Sequence, residues 1–79
     1  MIRDELETIL QTIFDDQNLQ LRDDMGPGCF EPWDSIETVQ IVMSVEQTFN
    51  VRLTMDEVAE LKSVAYLIDL LKQKTGMNE

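Results

Sequence analysis

Apolar residues recur along this chain at helical spacing, and nowhere in the strict alternation of a strand. Ile2, Leu6, Ile9, Leu10, Ile13 and Phe14 are separated by four, three, one, three and one positions, which predicts an amphipathic helix over about 3–15. Asp4, Glu5 and Glu7 lie near its start, where the positive end of the helix dipole favours carboxylates. Over residues 16–34 the pattern is lost, with Asp15-Asp16, Asp23-Asp24 and Gly26-Pro27-Gly28 as breakers. A connection of that length in a small domain is often functional. Leu19, Leu21, Met25, Phe30 and Trp33 are the apolar residues that can pin it to the rest of the molecule.

Periodicity returns at Asp34-Ser35 and predicts a second helix running to about Phe49. Ile36, Val39, Val42, Met43 and Phe49 read as its buried stripe, with Ile41 and Val45 widening the apolar arc. An arc wider than one packing face implies contact with something besides the home core. Asn50 is a stop signal and Val51-Arg52-Leu53 an extended link. Thr54 and Glu57 have capping-box spacing and open a short helix over about 55–61. Ser63 can cap a last helix over about 63–74, in which Val64, Leu67, Ile68 and Leu71 form the apolar face. Lys72 and Lys74 suit the negative end of its dipole, and Gly76 ends it. The fold class is therefore all-α: a single domain over 1–79, built as a small bundle of three main helices and one short one.

Composition narrows the function. The chain has 79 residues, 43% of them apolar, enough for one small core. Sixteen acidic residues against six basic ones leave a net charge of −10, which excludes a phosphate-contacting nucleic-acid binder. Histidine is absent, and with it go Ser-His-Asp and Cys-His triads, histidine zinc sites and the usual general base near neutral pH. Cys29 is the single cysteine, so no internal disulfide or multi-cysteine metal site can form, and it reads as an incidental loop thiol. Neither a secretory leader nor an apolar run of about 20 residues is seen, so the chain is expected to be a cytoplasmic monomer without a membrane span. Charge is uneven: residues 1–50 hold eleven acids against Arg3 and Arg22 (−9), whereas residues 51–79 hold five acids and four bases (−1). That asymmetry points to an interaction face around the first half of the chain.

The most informative segment is Trp33-Asp34-Ser35-Ile36-Glu37-Thr38-Val39-Gln40-Ile41-Val42-Met43-Ser44-Val45-Glu46-Gln47-Thr48-Phe49. It resembles the second helix of acyl carrier proteins, whose signature is Asp-Ser-Leu followed by an acidic amphipathic helix. The likeness continues through the short helix and the last one, while residues 16–32 are not typical of the family. What the resemblance implies is a carrier, not an enzyme. Ser35 would bear 4′-phosphopantetheine, transferred from coenzyme A by a separate phosphopantetheinyl transferase, and Asp34 would face that transferase and its magnesium ion. No metal site of the chain's own is implied. The arm would hold an acyl or aminoacyl group as a thioester for a fatty-acid, polyketide or specialised acyl pathway. Glu37, Glu46, Asp56, Glu57 and Glu60, with Ile36 and Ile41, would form the face that docks on basic patches of acyl-loading and acyl-processing enzymes.

Elementary chemistry agrees with the serine assignment. A serine where a long loop meets a helix is exposed, and a phosphodiester there would lie beside free backbone N–H groups at the positive end of the dipole. Asp34 can cap the same helix. Ile36 stands in place of the family's leucine. Trp33 departs from the glycine- and alanine-rich approach of many fatty-acid carriers and is more like stand-alone carriers of polyketide, peptide or specialised pathways; as a residue, it is expected to anchor the loop in the core. Gln40 and Gln47 replace acids that fatty-acid carriers often have. Two other readings stay open at this point: a small acidic helical adaptor in which Ser35 is only a cap, and a carrier-like docking protein that is never modified.

Overall fold

The structure, a computed structural model, describes residues 1–78. Glu79 lies outside them. Four helices follow in chain order: α1 (Ile2–Ile13), α2 (Ser35–Phe49), α3 (Met55–Ala59) and α4 (Val64–Thr75). No strand occurs among the described residues.

α1 buries Ile2, Leu6, Ile9 and Leu10, the stripe expected from their spacing, and packs on α2 and α4. It ends two residues earlier than predicted because Asp15 turns into the left-handed region at φ 52°, a conformation that a short polar side chain tolerates. α2 ends as expected at Asn50, also left-handed at φ 55°, whose N–H returns to Glu46 O. α3 stops at Ala59 instead of 61, since Leu61 leaves the helical path and is buried in the core with its N–H on Val58 O. Its capping box is formed: Thr54 Oγ1 accepts the Glu57 N–H at 3.1 Å and Glu57 Oε1 accepts the Thr54 N–H at 2.8 Å. α4 starts at Val64, with Ser63 as cap, and finishes at Gly76 (φ 71°), whose N–H returns to Lys72 O.

The face that α2 turns inward differs in part from the expected one: Val42 and Phe49 are buried as expected, and the other three members of the stripe are not. Ile41, Val42, Val45 and Phe49 are buried, whereas Ile36, Val39 and Met43 are 65%, 56% and 58% exposed. Both sets have helical spacing. Burial went to the set containing Ile41 and Val45, each 0% exposed; full burial of such a side chain contributes about 1.5–3 kcal/mol.

The long loop is stitched down on two sides. Leu19, Met25 and Trp33 enter the core, and Leu21 and Phe30 pack against it. The Phe14 ring meets Phe30 edge-on at 5.3 Å and lies 6.2 Å from Trp33. Gln11 Nε2 donates to Leu19 O at 2.9 Å, Glu7 Oε2 accepts the Leu21 N–H at 2.9 Å, and Arg3 pairs with Asp23. At the other end the loop serves α4. Met25 O accepts the Val64 N–H at 2.7 Å and Asp23 O the Ala65 N–H at 3.1 Å, while Ser63 Oγ accepts the Tyr66 N–H at 3.2 Å. Three of the N–H groups that a helix leaves without partners at its start are thereby satisfied. The close approach requires a glycine: a Cβ at Gly26 would stand 2.1 Å from Lys62 O.

Candidate functional site

Ser35 is the first residue of α2, exposed, and its hydroxyl makes no hydrogen bond to another described residue. Its placement is dictated by its neighbours. On one side Trp33 is 1% exposed; its backbone N–H donates to Phe30 O at 2.9 Å. Its indole Nε1–H donates to Thr38 Oγ1 at 2.8 Å, and the Thr38 hydroxyl donates in turn to Asp34 O at 3.0 Å. The same carbonyl accepts the Thr38 N–H at 3.0 Å. On the other side Asp34, with extended backbone, caps α2: its Oδ1 accepts the Ile36 N–H at 3.0 Å and the Glu37 N–H at 3.3 Å.

This cap narrows one expectation. Two N–H groups of the first turn, those of Ile36 and Glu37, are engaged by Asp34 Oδ1 and are not open to an anion on Ser35. What remains for such an anion is the Ser35 N–H, which the cap does not engage, with the dipole field and open solvent around the hydroxyl. A proton held on Glu37 and shared with the Asp34 carboxylate keeps Asp34 below its ordinary value and Glu37 above it. The two acids next to the serine therefore compete for one proton as pH falls.

Several residues expected on a docking face lie elsewhere or are engaged. Ile41 is in the core, 0% exposed, and cannot meet a partner. Glu46 is half-buried, with Oε2 accepting the Leu53 N–H at 2.9 Å. Glu57 is half-buried between the Thr54 N–H and Lys74. Ile36, Glu37, Asp56 and Glu60 remain accessible to differing degrees, Glu37 least. Val39 and Met43, which the periodicity predicts to be inside, are on the surface with Ile36, and Met55 at the start of α3 is 88% exposed. Val39 and Met43 stand four and eight residues from Ser35, a spacing that puts them on its side of the helix. Cys29 is exposed on the loop.

Segment 33–71 matches the family described as the phosphopantetheine attachment site. Over 43 residues the chain is 32% identical to an acyl carrier protein of Guillardia theta, covering 54% of this chain and 53% of that protein. The match thus spans about half the length of that curated relative. In structure, 94% of the chain follows 85% of the holo acyl carrier protein from Geobacter metallireducens, solved in solution by NMR, with a TM-score of 0.83 and 27% identity. The chain belongs to the acyl carrier protein family. Its fold class, an all-α bundle of three main helices and one short one, is the one read from the periodicity, and the prosthetic group that goes with the matched segment is 4′-phosphopantetheine. Members of this family are non-catalytic carriers. The residues present fit the group: the carrier offers one exposed, unengaged hydroxyl at the start of α2, inside the matched segment. No helix among the described residues is long and apolar enough to cross a membrane.

Proposed function

We propose that Ser35 carries the 4′-phosphopantetheine arm and that the chain works as one carrier unit in the cytoplasm, itself without catalytic activity. The observation that supports this best is the free Ser35 hydroxyl behind the Asp34 cap. A partner transferase supplies the chemistry. The Ser35 oxygen attacks the pantetheine-side phosphorus of coenzyme A, a phosphodiester forms, the pyrophosphate bond breaks with the nucleotide half leaving, and the hydroxyl proton passes to the transferase. No histidine is needed in the carrier. When bound, the group supplies a mobile thiol that holds an acyl or aminoacyl cargo as a thioester.

The chain's own residues present and orient the attachment point. Asp34 fixes the first turn, and Asp56 and Glu60 give long-range attraction to basic patches on acyl-loading and acyl-processing enzymes. Exposed Ile36, Val39 and Met43 beside Ser35 give the apolar contact on arrival. The approach Trp33-Asp34-Ser35 and the neutral Gln40 and Gln47 support a stand-alone carrier of a polyketide or other specialised acyl pathway over a general fatty-acid carrier. Incubation with coenzyme A and a broad-specificity phosphopantetheinyl transferase tests the attachment. One arm's mass should be gained by the protein and not by Ser35→Ala. An unchanged mass, with a known carrier modified in parallel, overturns the reading.

A further inference from the structure

Nothing within Ser35 itself holds its hydroxyl in place. The side chain is exposed and has no hydrogen-bond partner among the described residues, so its position is inherited from the backbone on either side. That backbone is gripped from an unusual direction. Trp33 is buried against Phe14 and is fastened at both ends, through its N–H to Phe30 O and its indole N–H to Thr38 Oγ1 at 2.8 Å. Thr38 is the relay: its hydroxyl accepts from the indole and donates to Asp34 O, so residues 33, 34 and 38 close a ring of contacts around the peptide that leads into Ser35.

We propose that Trp33 and Thr38 are positioning residues for the modification of Ser35, the indole–hydroxyl–carbonyl relay fixing the angle at which the loop delivers the serine into α2. The inference rests on Ser35 as the attachment point and adds residues that act through the backbone leading into it. Physical grounds favour a role in rate as well as in stability. A transferring enzyme acts only when the attacking oxygen is aligned with the phosphorus, and a small misplacement from a remote change lowers the rate strongly. The indole–hydroxyl bond is partly buried, where a hydrogen bond suffers less competition from water, while the hydroxyl–carbonyl bond that completes the relay is exposed. Loss of one such bond lets the junction sample other angles, lowering the aligned fraction roughly three- to tenfold.

The test uses Trp33→Phe, which keeps a buried ring and loses the N–H, and Thr38→Val, which keeps the shape and loses the hydroxyl, with Thr38→Ser as the conservative variant. Arm transfer is followed with coenzyme A and a broad-specificity transferase, together with thermal unfolding. Each variant is assayed below the onset of its own unfolding, so that rates refer to folded protein. The expected result is a three- to tenfold fall in kcat with little change in KM for both Trp33→Phe and Thr38→Val, and recovery in Thr38→Ser. A rate equal to wild type in either of the first two variants overturns the proposal. So does a fall that tracks the unfolded fraction and disappears on cooling, which makes the relay a stability contact alone. Failure of the wild-type chain to gain the arm at Ser35 sinks the attachment reading instead and is seen directly in the mass.

Discussion

The ammonium of Lys74 on α4 stands 3.0 Å from Glu57 Oε1 on α3, and the same oxygen accepts the Thr54 N–H at 2.8 Å. One carboxylate therefore completes the capping box of a five-residue helix and ties that helix to the last one. The Thr54 N–H first, and Lys74 after it, hold the Glu57 carboxyl below its ordinary value. A carboxyl with a depressed folded-state value stabilises the fold above its unfolded value, and that contribution is lost as pH falls through the depressed one. Glu57→Gln is expected to lower Tm at neutral pH and to flatten the acid side of the Tm-against-pH curve. Superimposable acid limbs for the two proteins would contradict this.

Gly26 is a packing requirement. A Cβ there would lie 2.1 Å from Lys62 O and 3.0 Å from Ser63 Cα, both backbone atoms that cannot swing aside. Gly26→Ala must push the loop away from α4 and loosen the Met25 O and Asp23 O bonds to its first turn. Overpacking of this kind costs about 1–3 kcal/mol, to be read from urea unfolding. A midpoint unchanged from wild type would mean that the loop does not need this approach.

α2 separates buried from exposed positions within two turns. Ile41→Ala empties a fully buried site and is expected to cost about 2–5 kcal/mol. Ile36→Ala removes a side chain that is 65% exposed and should change stability by less than about 0.5 kcal/mol. Its effect belongs to docking: KM for the transferase is expected to rise roughly fivefold. Added salt should slow association by screening Asp56 and Glu60 while leaving the Ile36 effect in place. An unaltered KM in Ile36→Ala removes this residue from the docking face.

Most of the local structure is legible in the sequence because local chemistry decides it. The Thr54–Glu57 box, the Ser63 cap, the Asn50 and Gly76 stops and the Asp34 cap are each written within a few residues, and each is formed. The inward face of α2 is not legible. Ile36, Val39 and Met43 have the same kind of spacing as Ile41, Val45 and Phe49, and only packing by α1 and the rest of the core chooses between them. Long-range backbone pairing is hidden for the same reason. Neither Glu46 as acceptor for Leu53 N–H nor the Met25 carbonyl as a partner for α4 leaves a pattern in the sequence. The family resemblance assigns Glu37, Glu46, Asp56, Glu57 and Glu60 alike to a docking face. Glu46 and Glu57 are instead structural, and Asp56 and Glu60 are the exposed acids left on α3 and its C-terminal cap.

Trp33 is the chain's single tryptophan, buried two residues from Ser35. The loop–helix junction consequently carries its own optical label. Excitation at the long-wavelength edge of the indole band, which Tyr66 does not share, reports on one ring in one place, shielded from water and hydrogen-bonded through its nitrogen. Any event that loosens the approach to Ser35 should shift that emission to the red, so the junction can be watched in unlabelled protein as partners come and go.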